Sequence, residues 1–215
     1  TVDVLPRAIE IASIYRQKGV KVIAGGIHIT TASSSVPKDA FDSLCIGFAE
    51  NTWPQIIEDI KHNRLQSAYV SAPLTSGDDI VAPAYDMIDK TDYLWYNVVS
   101  TSRSCPHTCD FCYNSSGTHQ YINRNIDDVL ADIKSLGTKH IMFIDDNFIG
   151  NISWTKQFLE RIKPLKLNWN AAVTMKIGQY PELMDLMKAT GCQSLFIGFE
   201  SISPQSLSKI GRAHV

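Results

Sequence analysis

The second half of the chain alternates between short apolar runs and segments in which apolar residues recur every three or four positions. Runs of this length are typical of buried strands, and the three-to-four spacing is typical of helices with one buried face. The predicted strands are 95–99, 139–144, 167–173 and 194–199, and the predicted helices between them are 125–136, 153–163 and 181–189. This alternation indicates right-handed βαβ units and a parallel sheet, with active residues at the carboxyl ends of the strands.

The first part of the chain shows a similar pattern with shorter strands. Strands are predicted at 20–24 and 43–46, helices at 3–18 and 52–61, and glycine turns after the strands at 25–30 and 47–50. This order is typical of a doubly wound α/β sheet, which binds ligands at the carboxyl ends of its strands. Turn formers then concentrate in 65–93, with a predicted hairpin strand at 66–72. The predicted organisation is a domain at 1–64, a linker at 65–93 and a second domain at 94–215.

Composition narrows the class of protein. The chain has 215 residues, of which 44% are hydrophobic and 20% charged, as in globular proteins of one or two domains. The formal net charge of -2 gives no basic field, so nucleic acid is not an expected partner. No apolar run reaches the roughly 18 residues of a membrane-spanning helix. An odd number of clustered cysteines favours a reducing cytoplasm, and the start without Met predicts a fragment of a longer protein.

Three of the five cysteines form a Cys-x3-Cys-x2-Cys motif directly after the predicted strand 95–99. Cys105, Cys109 and Cys112 lie in a segment with Pro106 and other turn formers, so their thiols can converge on one centre. A structural zinc site needs a fourth protein ligand, and an iron–sulfur cluster usually takes four cysteines. Three cysteines therefore leave one iron open to a substrate or cofactor.

This motif resembles the cluster loop of radical S-adenosylmethionine (SAM) enzymes, which also has an aromatic residue, here Phe111, before the last cysteine. The resemblance implies a four-iron, four-sulfur (4Fe-4S) cluster on the three cysteines, with SAM on the open iron. It implies that the reduced cluster cleaves SAM to methionine and a 5′-deoxyadenosyl radical, with an electron donor such as flavodoxin or ferredoxin. The second domain would then be a partial (β/α)6 barrel, with two further strands beyond Val215.

A zinc site remains an alternative for the same thiols, completed by His107 or His119. The other two cysteines, Cys45 and Cys192, lie in or beside strand-like runs, and we expect both to be core residues.

Residues 1–64 resemble the C-terminal part of a cobalamin-binding domain of the kind that precedes the barrel in many radical SAM proteins. The resemblance lies in the turn from Gly25 and Gly26 to Thr30, and in the Gly-x-x-Glu turn at 47–50. The Asp-x-His-x-x-Gly segment that supplies a lower cobalt ligand in such domains does not occur in this sequence. Three interpretations stay open: that segment precedes Thr1, cobalamin binds without it, or no cobalamin binds.

The resemblance also implies residues that bind SAM at the ends of the predicted strands. Asp145 and Asp146 would face the ammonium group, although the family often has a Gly-Gly-Glu-like segment there, and strand alternation lets only one of the two point inward. The alternative for this pair is a turn that caps the next helix. Glu200, with Ser201, would accept the ribose hydroxyls, or would cap a helix opened by Ser203 and Pro204.

Further side chains complete the expected cofactor site. Thr174 follows the third strand, and Tyr113 is placed to pack on adenine or to wall the barrel mouth. With cobalamin, the expected reaction is methyl transfer to an unactivated carbon of a small-molecule or lipid-like substrate. The alternatives are a methylthiotransferase-like enzyme without cobalamin and a non-catalytic zinc or cluster-binding module.

Overall fold

The structure, a computed structural model, describes residues 2–116 and 120–203. The chain divides into two compact units, Thr1–Thr75 and Ser76–Val215. The boundary lies within the segment 65–93 that the sequence predicts as a linker. Within the described residues, no helix has both the length and the apolar character needed to cross a membrane.

The first unit is a three-stranded parallel sheet with helices in the connections. Its strands have the order β1-β2-β3. Its elements are α1 (Leu5–Gln17), β1 (Ile23–Ala24), α2 (Ile27–Ala32), β2 (Ser43–Ile46), α3 (Trp53–Lys61) and β3 (Ala68–Val70). The parallel α/β sheet predicted for this part of the chain is confirmed.

Residues 66–72 contain a third parallel strand rather than a hairpin. In β3, Tyr69 is paired with Cys45 of β2, and α3 forms the crossover between the two strands. Ile56 of α3 packs with Cys45 and Tyr69 in one buried cluster. Cys45 is 4% exposed, so its predicted place in the core is confirmed.

The buried Asp59 carboxylate connects α3 to β3 through hydrogen bonds. Asp59 accepts a hydrogen bond of 2.8 Å from the Tyr69 hydroxyl and one of 2.7 Å from Arg64 Nε. The hydrogen bond from Tyr69, followed by that from Arg64, lowers the pKa of Asp59. A lowered folded-state pKa stabilises the fold above the unfolded-state pKa, and this stabilisation is lost as pH falls through the folded-state value.

The first unit is therefore expected to lose stability in acid partly through Asp59. Between about pH 6 and about pH 3, the free energy of unfolding should fall less steeply in Asp59→Asn, because asparagine does not titrate. Urea unfolding, followed through the amide resonances of β2 and β3, measures this slope. The same pH dependence in the wild type and the variant would contradict the assignment.

The second unit is built on a four-stranded parallel sheet of order β4-β7-β8-β9. Its strands are β4 (Val98–Val99), β5 (Ser102–Arg103), β6 (Ile122–Asn123), β7 (His140–Phe143), β8 (Asn168–Thr174) and β9 (Cys192–Gly198). Its helices are α4 (Ile126–Leu136), α5 (Ile152–Ile162) and α6 (Pro181–Ala189). The four predicted strands and three predicted helices are confirmed, whereas the antiparallel β5–β6 ribbon was not predicted.

The helices cover one face of this sheet. Trp169, Phe143 and Phe158 lie at the centre of the core, each with at most 1% exposure. Their rings make edge contacts with centroids 5.5 Å apart for both Phe143 pairs. On the opposite face, Met142 and Phe196 are 41% and 78% exposed. The strands thus alternate between a packed outer face and an open inner face.

The residues between 76 and β4 belong to the second unit and pack against its sheet and helices. The Tyr85 hydroxyl donates a hydrogen bond of 2.8 Å to the Val98 carbonyl, and Lys90 Nζ donates one of 3.1 Å to the Leu136 carbonyl. The segment 65–93 is thus shared between the units, since 68–70 belong to the first sheet.

Candidate functional site

The cysteine loop is closed at its base by the β5–β6 ribbon. Ser102 pairs with Asn123 and Arg103 pairs with Ile122, so the chain leaves the end of β4 and returns beside it. The Arg124 amide then donates a hydrogen bond of 2.9 Å to the Thr101 carbonyl. The ribbon therefore fixes where the loop begins and ends on the second sheet.

Inside the loop, short-range hydrogen bonds bring the last two cysteines of the motif together. The Cys112 amide donates to the Cys109 carbonyl at 2.9 Å, and the Ser115 hydroxyl donates to the same carbonyl at 2.6 Å. Cys105, Cys109 and Cys112 all line one cavity of about 210 Å³. The three thiols therefore share one cavity, and their joint binding of one cluster stays a prediction.

The cavity lies at the carboxyl ends of the parallel strands, as expected for an α/β sheet. Asp146, which follows β7, lines it together with Thr174 at the end of β8 and Gly198 at the end of β9. Glu200 follows β9 and also lines the cavity. Side chains from three strand ends thus face the cysteines.

Burial and neighbouring charge act together on the thiols. Burial raises the pKa of Cys105, and the nearby Asp146 carboxylate raises it further. Burial likewise raises the pKa of Cys109, with added contributions from Cys112 and Glu200. A bound cation reverses this tendency, because a coordinating thiol is deprotonated by the metal. The site is therefore suited to a positively charged centre.

Three cysteines at one cavity match the number of protein ligands of the predicted cluster. Within residues 2–116 and 120–203, no three His, Cys, Asp or Glu side chains are close enough to share a single metal ion. In an iron–sulfur cluster each thiolate binds a different iron, so its ligands stand farther apart than those of one ion. His107 lines the cavity, and His119 lies outside the described residues.

The two neighbouring aspartates have different environments. Asp146 is exposed and accepts a hydrogen bond of 2.7 Å from the Tyr113 hydroxyl. Asp145 is 5% exposed and does not line the cavity. Of the two, only Asp146 is brought to the cavity with the cysteines. The capping alternative is wrong for both, because the side chain that caps α5 belongs to Asn151.

Asp145 instead binds the backbone at the start of the loop. Its Oδ1 accepts hydrogen bonds from the Thr101 amide at 2.8 Å, the Ser102 amide at 2.6 Å and the Ser102 hydroxyl at 2.7 Å. Burial raises the pKa of Asp145, and these donors oppose the shift. Asp145 was predicted to bind the cofactor, but in the structure its buried carboxyl group accepts hydrogen bonds from the start of the loop.

Two further predicted residues line the cavity with polar groups. Thr174 Oγ1 is buried and has no hydrogen-bond partner within the described part of the chain. An orphaned buried hydroxyl at a cavity wall is suited to a ligand, because burial without a partner is costly. Glu200 has a left-handed backbone with φ of 54°. Ser201 does not line the cavity, and its hydroxyl accepts from the Ser203 amide at 3.0 Å.

Two predicted aromatic side chains lie beside the cysteines. Phe111 and Tyr113 both line the cavity, and Phe111 is 58% exposed. Burial, followed by the hydrogen bond to Asp146, raises the pKa of Tyr113. Sequence reasoning missed Phe196, which lines the same cavity from the inner face of β9. Its signal was the alternation in β9, where Leu195 and Ile197 face the core.

Gly25 and Gly26 belong to the first unit, where they connect β1 to α2. Gly26 has φ of 93°, a conformation that favours glycine. Thr30 of α2 accepts a hydrogen bond of 3.0 Å from the Gly47 amide, which follows β2. The two glycine turns of the first unit therefore meet at the carboxyl ends of neighbouring strands.

Curated relatives and solved structures resemble the chain over most of its length. Bacteriochlorophyllide d C-12(1)-methyltransferase from Chlorobaculum tepidum is 26% identical over 92% of the chain and 45% of the relative. The radical S-adenosylmethionine methyltransferase TsrM from Kitasatospora setae, solved with tryptophan and a SAM analogue, has a TM-score of 0.75 at 18% identity. Its structure with cobalamin and a 4Fe-4S cluster has a TM-score of 0.74 at 16% identity.

The structural matches cover 97% of this chain and 47% of TsrM. The chain thus spans about half the length of the relatives it matches. A family model described as the radical SAM superfamily matches residues 99–215, which are 117 of the 215 residues. This region contains the three cysteines and the strand ends that face them, and the chain therefore belongs to the radical SAM superfamily.

Proposed function

We propose that the protein is a radical SAM enzyme in which the second unit holds a 4Fe-4S cluster on Cys105, Cys109 and Cys112. The observation that carries this function is the shared cavity, where three thiols face polar side chains from three strand ends. When bound, the cluster supplies the electron that cleaves SAM to methionine and a 5′-deoxyadenosyl radical. Family membership supports both cofactors.

The protein residues bind and orient SAM at the open side of the cluster. Asp146 is placed to attract the ammonium group, and Tyr113 holds its carboxylate through a hydrogen bond of 2.7 Å. Glu200 suits the ribose hydroxyls, since carboxylates recognise ribose in this way in dinucleotide sites. The buried Thr174 hydroxyl gains a partner when a ligand fills the cavity.

We further propose that the first unit is part of a cobalamin-binding domain and that the reaction is a methyl transfer. The glycine turns at Gly26 and Gly47 meet at the carboxyl ends of β1 and β2, where α/β sheets bind ligands. Similarity to TsrM, solved with cobalamin, extends over this unit. The methyltransferase among the relatives supports the same reaction class. The alternative of a methylthiotransferase without cobalamin has no comparable support.

The substrate is proposed to be a small, largely apolar molecule in the cytoplasm, and flavodoxin or ferredoxin is the proposed electron donor. The open inner face of the second sheet presents Met142, Ile144 and Phe196, which are 41%, 52% and 78% exposed. Phe196 also lines the cysteine cavity, so this apolar surface is continuous with the proposed cluster site. An apolar substrate placed there would lie next to the adenosyl group.

Anaerobic reconstitution of the full-length protein with iron and sulfide tests this function. About four irons per chain, a corrin absorption spectrum with added cobalamin, and conversion of SAM to methionine and 5′-deoxyadenosine under dithionite are expected. Transfer of a methyl group would leave S-adenosylhomocysteine as a second product. A preparation that binds zinc and leaves SAM intact would contradict the proposed radical SAM activity. SAM cleavage without cobalamin binding would contradict only the proposed methyl transfer.

A further inference from the structure

We propose that Asp145 is a positioning residue that holds the cysteine loop over the sheet, and that with Asp146 it fixes the loop on both sides of the cysteine motif. The inference rests on the proposed function in one respect, that the loop carries a cluster. It assigns the two adjacent aspartates separate roles, of which only that of Asp146 involves the cavity.

The first observation is how the Asp145 carboxylate is used. Its Oδ1 accepts all three hydrogen bonds, two of them from the consecutive backbone amides of Thr101 and Ser102. These amides lie where the chain turns from β4 into β5. Thr101 and Ser102 are 1% and 5% exposed, so without this acceptor their buried amides would lose a partner that water cannot easily replace. Asp145 therefore determines the direction in which the chain leaves the sheet.

The second observation is the position of this turn relative to the cysteines. Ser102 is three residues before Cys105, and the intervening Ser104 has a left-handed backbone with φ of 64°. The Ser104 hydroxyl donates a hydrogen bond of 3.0 Å to Asn114 Oδ1, so the start of the loop is tied to its far side. A displacement of the Thr101–Ser102 turn would therefore also displace Cys105, which is only three residues further along the chain.

The third observation is the contact on the other side of the motif. Tyr113 directly follows Cys112, and its hydroxyl donates a hydrogen bond of 2.7 Å to Asp146. One strand end therefore contacts the chain before the first cysteine through Asp145 and after the last through Asp146. Because Asp145 and Asp146 are consecutive residues just after β7, the two ends of the motif are held next to each other, which suits a site whose thiols bind separate irons of one cluster.

Iron retention by the full-length protein tests the positioning role without relying on catalysis. Asp145→Ala removes the acceptor, whereas Asp145→Asn keeps a carbonyl oxygen for the same amides. After anaerobic reconstitution with iron and sulfide, we expect Asp145→Ala to lose iron to a chelator about 10–100-fold faster than the wild type, the range seen for outer partners of metal ligands. Asp145→Asn should retain iron at close to the wild-type rate.

Asp59→Ala serves as the matched control, because Asp59 is also a buried carboxylate with short hydrogen bonds, at 4% exposure, and lies in the first unit. It should lower the thermal unfolding temperature but leave iron release and the electron paramagnetic resonance spectrum of the reduced cluster unchanged. Asp145→Ala should change that spectrum. If Asp145→Ala does not fold, Ser102→Ala removes a single donor and should speed iron release several-fold.

Wild-type iron release and an unchanged spectrum in Asp145→Ala would overturn the proposal, as would equal effects of Asp145→Ala and Asp59→Ala on iron release. Equal loss of iron in Asp145→Asn and Asp145→Ala would also overturn it, because the hydrogen-bond acceptor would then not be the cause. Failure of the proposed function is recognised separately, since the wild-type protein itself would then bind no cluster.

Discussion

Replacing Cys109 with alanine is expected to abolish SAM cleavage by the reconstituted full-length protein. Cys109 is 8% exposed and is the central cysteine of the motif, so its loss leaves two thiols at the cavity. Mutation of a residue that only hydrogen-bonds to a metal ligand typically lowers activity about 10–100-fold. Loss of a ligand itself is therefore expected to lower SAM cleavage by more than roughly 100-fold. Iron content and the yield of 5′-deoxyadenosine under dithionite measure the effect.

The chain provides a matched control in Cys192, which lies in the same unit and packs against the core rather than in the cavity. Burial raises the pKa of Cys192 to about 11, which favours the protonated thiol at neutral pH. Cys192→Ala should keep about four irons per chain and wild-type SAM cleavage. Equal activity of the Cys109 and Cys192 variants would show that the cysteine motif does not hold the cluster.

The secondary-structure elements whose apolar residues recur at a regular spacing were predictable from the sequence. Strands β7, β8 and β9 and the helices between them follow from apolar residues at regular spacing, because each buries one face in the same core. The position of the cavity at the carboxyl ends of the strands followed from the same alternation, since these ends meet at one edge of a parallel sheet. These parts of the fold are determined by local pattern.

Features that depend on tertiary contact were not predictable in the same way. The β5–β6 ribbon consists of two-residue strands, which are too short to show a period. Strand alternation predicted that only one of Asp145 and Asp146 points inward, but it could not predict which one. The strand β7 ends at Phe143, so neither aspartate lies within the alternating segment. The parallel pairing of β3 was missed, although the helix before it resembles the crossovers of the second unit.

A buried ion pair beneath the cysteine loop leads to the largest expected effect on stability. Arg124 Nη1 lies 2.7 Å from Asp132 Oδ2, and their side chains are 2% and 4% exposed. Arg124 Nη1 also donates a hydrogen bond of 3.0 Å to the Ser100 carbonyl, which connects the end of the loop to the end of β4. Asp132→Ala would leave the guanidinium buried without its counter-charge, and should lower the free energy of unfolding by about 3–5 kcal/mol. Urea unfolding followed by tryptophan fluorescence measures the change.

The double variant Arg124→Met, Asp132→Leu tests whether the stability lost in Asp132→Ala comes from the unpaired buried charge. Arg124 Nε and Nη2 are buried and have no hydrogen-bond partner within the described residues, so the ion pair does not fully compensate for the lost hydration. Replacing both charges with apolar side chains removes that cost, and buried pairs treated in this way are often neutral or about 1–4 kcal/mol more stable. The double variant should therefore recover the stability lost in Asp132→Ala. A double variant as unstable as the single one would show that the pair itself stabilises the unit. Because the ion pair also anchors the Ser100 carbonyl, iron release from the double variant, measured in parallel, separates its effect on the loop from its effect on the core.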